Sequence, residues 1–299
     1  MPFGTLPLND GTEIPAIAFG TGSVNKAKDA QALVTQALET GFSHIDTAAF
    51  YFNEQSVGAA IHESGLARNE FYVTTKYDGG SFSRAIRSSL HKLNLKRVDL
   101  YLIHSPKFVL SLEGAWREME KIKDEGLSTS IGVSNFELKH LEKLVKIARI
   151  KPAVNQIEFH PYVYAERKPV LTFAAQHGIV IEGYSPLKSI TRLPGGPVDA
   201  PVAAAATRLG ISPAQVLLAW ARSKGIVIVT TSSKKEHLEE YLAVPELPPL
   251  TDDEIAAIEE AGAQGPPTSA LRKGIRWGLI TFVAAYAFYL AAYTSIARA

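Results

Sequence analysis

A phenol, an acid, a lysine and a histidine fall where they could move a proton together. Asp46, Lys76 and His104 each close a short apolar run, and Tyr51 lies five residues beyond Asp46. Further polar residues end later apolar runs: Ser134 and Asn135, Gln156 and Glu158, Tyr184 and Ser185, and Thr230 to Ser232. Polar groups that repeatedly terminate apolar segments are hard to explain as packing. The combination suits general acid–base chemistry better than nucleophilic attack. The chain has no cysteine, which excludes a thiolate nucleophile, a disulfide framework and cysteine-ligated zinc. Singly, each residue has an ordinary role: Asp46 as a helix cap, Lys76 as a solvated charge, His104 as a satisfied core histidine. Their shared place at strand ends favours function.

Such residues need a scaffold that gathers strand ends on one rim. Eight strand-like runs occur at residues 16–20, 43–46, 71–76, 99–104, 129–134, 153–158, 180–184 and 226–230. Between them lie amphipathic segments such as 27–40, 83–93, 112–125 and 138–148. Strand alternating with helix implies a parallel sheet, and eight units imply closure into a (β/α)8 barrel, whose active site lies at the C-terminal strand ends. The competing architecture, a doubly wound sheet, announces itself by a glycine fingerprint after the first strand. Gly20-Thr21-Gly22 lacks the rest of that motif. Ahead of the barrel, Asp10-Gly11 reads as the turn of a small hairpin.

At 299 residues, with 46% hydrophobic and 20% charged residues, the chain can bury a large core. Its net charge of +1 is unevenly spread. Residues 268–299 hold four basic residues (Arg272, Lys273, Arg276, Arg298) and no acid, leaving 27 basic against 30 acidic residues, a net of −3, in residues 1–267. A slightly acidic globular part argues against nucleic acid as a partner. The start of the chain has no basic and apolar pattern of a secretory signal. Residues 277–297 form an uncharged run of 21 residues. As a helix it is roughly 31 Å long, enough to cross a bilayer's hydrocarbon core. A buried terminal helix of a cytoplasmic protein is the competing reading. All-round apolarity and the Gln-Gly-Pro-Pro break before the run favour a membrane anchor, with three basic residues on the near flank placing the large part in the cytosol. The expected organisation is a barrel over residues 1–262, a linker with a basic flank over 263–276, and an anchor over 277–297.

Four segments carry a resemblance: GFSHIDTAAFYFNEQSVGAAI at residues 41–61, DLYLIHSP at 99–106, IGVSNF at 131–136 and NQIEFHPY at 155–162. Together they resemble the aldo-keto reductases from the hairpin to about residue 261. TTSSKKEH, from Thr230 to His237, looks most like the fungal α-keto amide reductase branch. The resemblance implies an eight-stranded barrel and makes Tyr51 the general acid, with Asp46, Lys76 and His104 around it. A free phenol has a pKa of about 10 and donates poorly near neutrality. An adjacent Lys76 ammonium is expected to lower it, Asp46 to hold that lysine charged, and a neutral His104 to orient the substrate carbonyl. Hydride from a nicotinamide then completes the reduction to an alcohol.

The same resemblance implies a bound NADPH, with NADH possible. Ser134, Asn135 and Gln156 would hold the carboxamide and Tyr184 would stack on the ring. Ser185, Leu187 and Ser189 would line the pyrophosphate side, which Thr21 would approach from the first strand. At the adenosine end the sequence departs from the family. Thr231, Ser232 and His237 stand where Lys-Ser and an Arg are usual, Tyr241 stands where Asn is usual, and Glu240 keeps its place against the adenine. Lys234, or Lys235 beside it, is expected to restore part of the 2′-phosphate clamp, so the preference for NADPH over NADH should narrow. A short segment after His104 and the loss of a substrate-gripping tail should open the pocket. With an anchor, this suggests small-molecule carbonyl substrates that include lipophilic ones, such as lipid aldehydes. The alternative function is a cofactor-sensing auxiliary subunit of a membrane protein with little turnover.

Overall fold

The structure, a computed structural model, describes residues 3–22 and 25–267. Two antiparallel strands come first, β1 (Thr5–Pro7) and β2 (Glu13–Pro15), with Leu6 opposite Ile14. Eight parallel strands follow: β3 (Ile17–Gly20), β4 (His44–Asp46), β5 (Tyr72–Tyr77), β6 (Val98–Ile103), β7 (Ser128–Ser134), β8 (Val154–Glu158), β9 (Val180–Tyr184) and β10 (Val227–Thr230). They close in chain order, and β10 pairs back onto β3 with Thr230 opposite Phe19. The helices are α1 (Gln31–Thr40), α2 (Glu54–Glu63), α3 (Phe82–Leu93), α4 (Leu112–Asp124), α5 (Leu138–Ile147), α6 (Pro161–Gln176), α7 (Lys188–Thr191), α8 (Asp199–Leu209), α9 (Pro213–Ser223), α10 (Lys235–Leu242) and α11 (Asp252–Ala263).

Each expected barrel strand is present, with ends displaced by at most one residue. The helix expected from residue 27 begins later, at Gln31. Ala27 adopts a left-handed φ of 57°, and the Asp29 carboxylate accepts from the Gln31 N–H at 2.8 Å, so a turn is built where the apolar pattern suggested helix. Alternation along the strands separates two apolar regions. Leu100, Leu102, Val154 and Val227 fill the barrel, and Leu8 and Ile14 of the hairpin close its floor. Ile45, Val73, Ile103 and Val133 face outward into the helical layer. Gly132 is required inside: a Cβ there would lie 2.6 Å from the Val154 carbonyl oxygen and 2.8 Å from Leu102 Cδ2.

The helices dock through periodic apolar faces. On α4, Ala115, Trp116, Met119 and Ile122 are buried at helical spacing, and Ser111 caps the start by accepting from the Gly114 N–H at 3.2 Å. Trp116 also donates its indole N–H to the Ile150 carbonyl at 2.9 Å. Truncating such a side chain to alanine costs about 3–5 kcal/mol. α9 and α11 each start with a capping box, Ser212 with Gln215 and Thr251 with Glu254. The anchor and most of the expected linker fall in residues 268–299, outside the described residues. Among the described residues no single helix is long and apolar enough to cross a membrane.

Candidate active site

Strand ends β4, β5 and β6 deliver the expected cluster. Lys76, fully buried near the end of β5, donates to both Asp46 carboxylate oxygens at 2.7 Å and to the Thr47 carbonyl at 2.9 Å. Three acceptors match the three N–H bonds of an ammonium. Burial alone would push the lysine pKa down, but Asp46, reinforced by Tyr51 and Glu182, drives it well above its usual range. The lysine is therefore a fixed cation.

Tyr51 sits at the end of a single 3₁₀ turn that follows β4. The Lys76 Nζ lies 5.2 Å from the centre of its ring, and His104 meets the ring edge-on at 5.6 Å between centroids. Gly22 makes room for the phenol: a Cβ there would come within 2.8 Å of the ring. The expected direction of the Tyr51 shift is reversed. Burial raises the phenol pKa above its ordinary value more than the nearby Lys76 lowers it, and Asp46 and Asp78 add to the rise. A phenol shielded from water loses more by ionising than one neighbouring cation returns.

His104 brings in a residue that the strand-end reading missed. Its Nδ1 makes a short contact with Asp78 Oδ1, and Asp78 Oδ2 accepts the Phe50 backbone N–H at 2.5 Å. One carboxylate thus ties the histidine to the turn that carries Tyr51. With Nδ1–H given to Asp78, a neutral ring leaves Nε2 as an acceptor, so the expected neutral histidine could not donate to a carbonyl from that nitrogen. The signal in the sequence was slight: Asp78 lies two residues past Lys76, beyond the end of the apolar run.

The residues expected around a nicotinamide meet on the β7–β9 side. Ser134 donates to the Gln156 backbone carbonyl at 2.8 Å, and Asn135 donates to Ser134 Oγ at 3.1 Å and the His104 backbone carbonyl at 2.9 Å. Tyr184 donates its hydroxyl to Asn135 Oδ1 at 2.9 Å. Asn135 and Ser185 hold left-handed φ values of 61° and 60°, a strain that rigid surroundings must offset. Gln156 gives both N–H groups to acidic side chains, Asp46 Oδ2 at 2.7 Å and Glu182 Oε2 at 3.0 Å, and so joins the proton-handling cluster to the cofactor side. Glu158 accepts from His160 and Lys188, and its pKa is pulled down to about 2, first by His160.

A cavity of 490 Å³ opens farther along the rim, lined by Ile190, Asp199, Ser212, His237, Glu240 and Tyr241. Here His237 Nδ1 lies 3.3 Å from Ser232 Oγ, which also accepts the Lys234 N–H at 3.1 Å. Glu240 accepts from Ser212 at 3.1 Å. Lys235 turns toward Glu239 at 3.9 Å, which leaves Lys234 as the cation of this motif without a side-chain pair among the described residues. The donor set fits a phosphorylated dinucleotide. The buried hydroxyls of Ser189 and Thr231 have no hydrogen-bond partner among the described residues, and such groups are costly unless a ligand or water satisfies them. Two expected contacts differ. Thr21 is fully buried and spends its hydroxyl on Thr47 at 2.9 Å and the Asp46 carbonyl at 3.3 Å, bracing β3 against β4. Leu187 is buried in the apolar core at the start of α7, so its side chain packs there.

Comparison with known proteins agrees with this geometry. Residues 16–263 match the profile of the Aldo/keto reductase family. An NAD/NADP-dependent indole-3-acetaldehyde reductase of Schizosaccharomyces pombe is 39% identical over 245 residues, covering 78% of this chain and 86% of the relative. A glyoxal reductase of Bacillus subtilis is 37% identical over 273 residues, covering 88% and 95%. The crystal structure of a Bombyx mori aldo-keto reductase in complex with NADP superposes with a TM-score of 0.79 at 32% identity, covering 86% of this chain and 92% of that one. Fold and relatives agree: the chain belongs to the aldo/keto reductase family of oxidoreductases.

Proposed function

We propose that the protein reduces aldehydes and ketones to alcohols with NADPH, Tyr51 delivering the proton. The observation that carries this reading is the buried Lys76–Asp46 pair set beside Tyr51 and His104. When bound, the cofactor supplies a hydride to the carbonyl carbon. The oxygen then becomes an alkoxide, a stronger base than a phenolate, so proton transfer from Tyr51 Oη runs downhill even though burial raises the phenol's pKa. The phenolate left behind lies beside the Lys76 ammonium, whose charge stabilises it. The His104 ring, held through Nδ1 by Asp78 and edge-on to Tyr51, bounds the place where the substrate oxygen must sit. The auxiliary-subunit alternative is not favoured, since the named relatives are reductases.

Ser134, Asn135 and Gln156 would hold the carboxamide, Tyr184 would stack on the ring, Ser185 and Ser189 would line the pyrophosphate side, and Thr231, Ser232, Lys234, His237 and Glu240 would hold the adenosine end. Lys234, without a side-chain pair among the described residues, and His237 at the adenosine end support NADPH with NADH as a workable second cofactor. That one relative is NAD/NADP-dependent is in keeping with this reading. The mouth supports apolar carbonyls: Phe50, 42% exposed, and Phe108 pack beside His104, and Phe52, 69% exposed, packs against Phe50. The uncharged run at 277–297 would hold the barrel at a membrane, catalytic part in the cytosol, where such substrates concentrate. Steady-state oxidation of NADPH and NADH over a panel of aldehydes and keto esters tests the reading. Turnover with either cofactor is expected, and none across the panel overturns it. Removing residues 268–299 should reduce the rate on long-chain aldehydes in liposomes and spare short-chain ones; unchanged chain-length preference would refute the anchor.

A further inference from the structure

One buried titratable group takes no part in the proton transfer. Glu182 points into the barrel from the middle of β9 and is fully buried. Its Oε2 accepts one Gln156 N–H at 3.0 Å, while Oε1 has no hydrogen-bond partner among the described residues. The groups that face it are His44 and Asp46 from β4, Tyr72 and Lys76 from β5 and Gln156 from β8. None of them supplies a counterion. Lys76 is committed to Asp46, and His44 Nε2, 3.9 Å from Oε1, is bonded to Thr74 at 2.8 Å. Burial holds His44 neutral by pushing its pKa down to about 4. A carboxylate with one neutral donor in such a place is costly, so the neutral acid is the stable form. In agreement, burial and then Asp46 push Glu182 up to about 8.

The position of this acid gives it a task. Gln156 carries two N–H bonds, one aimed at Asp46 and one at Glu182. With both occupied, the amide cannot rotate, and its carbonyl oxygen is the group left to meet a ligand. We propose that Glu182 is a positioning residue, fixing the Gln156 amide so that its carbonyl reads the carboxamide of the nicotinamide and, on ionising, favouring the oxidised, positively charged ring over the reduced one. This rests on the NADPH-dependent reading above. Ionisation adds a negative charge to a cluster whose other charges, Lys76 and Asp46, already cancel. The reduced ring is neutral and feels this little; the oxidised ring is cationic and is attracted.

Isothermal titration of the full-length protein with NADPH and with NADP⁺, over about pH 7 to 9, separates the outcomes. In the wild type, NADP⁺ should tighten relative to NADPH by about fivefold as Glu182 ionises, a modest change for one charge at several ångströms. Glu182→Gln keeps an acceptor for Gln156 and cannot ionise, so it should keep the wild-type affinity for NADPH and lose the pH dependence of the ratio. Glu182→Leu removes the acceptor and should weaken both cofactors by about tenfold, the worth of one buried hydrogen bond. Thermal unfolding of each variant distinguishes loss of fold from loss of positioning. A pH-dependent ratio that survives in Glu182→Gln, or wild-type affinity in a folded Glu182→Leu, overturns the inference while leaving the reductase reading intact. A folded wild type that binds neither cofactor overturns both.

Discussion

The two ends of the rim are built on opposite principles. At the proton-transfer end the charges are buried and paired: Lys76 contacts three oxygens, Asp46 is shared by Lys76 and Gln156, and Asp78 clamps His104 and the Tyr51 turn. At the adenosine end Lys234 is exposed and has no side-chain pair among the described residues, and half-buried His237 meets Ser232 and the Tyr241 ring. Burial makes each charge strong and unforgiving, since a lost partner leaves an ion without solvent. Exposure makes each charge weak, salt-sensitive and exchangeable. Chemistry is thus fixed by the first region, while cofactor preference is left adjustable in the second.

The largest effect that could break this comparison comes from Lys76→Met. Leaving Asp46 buried without its cation should cost about 3–5 kcal/mol of stability. Carbonyl reduction should fall by at least about 10²-fold, read by denaturant unfolding and steady-state kinetics. A stable, active Lys76→Met protein would mean that the buried pair is ornamental. Asp78→Ala comes next. Losing a hydrogen bond to a charged group is worth about 1.5–3 kcal/mol, so kcat/KM should drop by about tenfold to a hundredfold with cofactor affinity kept. Lys234→Ala should weaken NADPH by only about two- to fivefold, leave NADH unchanged and lose its effect as salt rises. A hundredfold loss there would show the adenosine end to be as rigid as the other. The smallest effect is Glu158→Gln. The folded-state pKa of Glu158 lies below the ordinary carboxylate value, at about 2, so its stabilisation is full above the unfolded pKa and disappears as pH falls toward about 2. The carboxylate is partly exposed and the gain is small. The variant should flatten stability only in that acid range, as seen in thermal midpoints against pH.

The barrel was legible because the strands are short apolar runs, most of them closed by a polar residue, and Asp46, Lys76 and His104 are such endings. The hairpin was legible from one Asp-Gly turn. Asp78 was hidden because its partners, His104 and Phe50, come from neighbouring elements, and no spacing links them. Glu182 was hidden for another reason: an acid inside an apolar strand reads as an outward-facing residue until the pleat is placed, and alternation puts it on the interior face with Tyr184. The direction of the Tyr51 shift depends on how deeply the phenol is buried, which composition does not encode. Thr21 shows the converse, a polar residue at a strand end that proves to be a brace.

The central claim is that the Tyr51 hydroxyl supplies the proton. Tyr51→Phe removes one oxygen and leaves the ring against Gly22 and His104. The account predicts NADPH binding within about twofold of wild type and a fall of at least about 10²-fold in the rate of NADPH oxidation by an aldehyde. A Tyr51→Phe enzyme that keeps a tenth or more of the wild-type rate would contradict it.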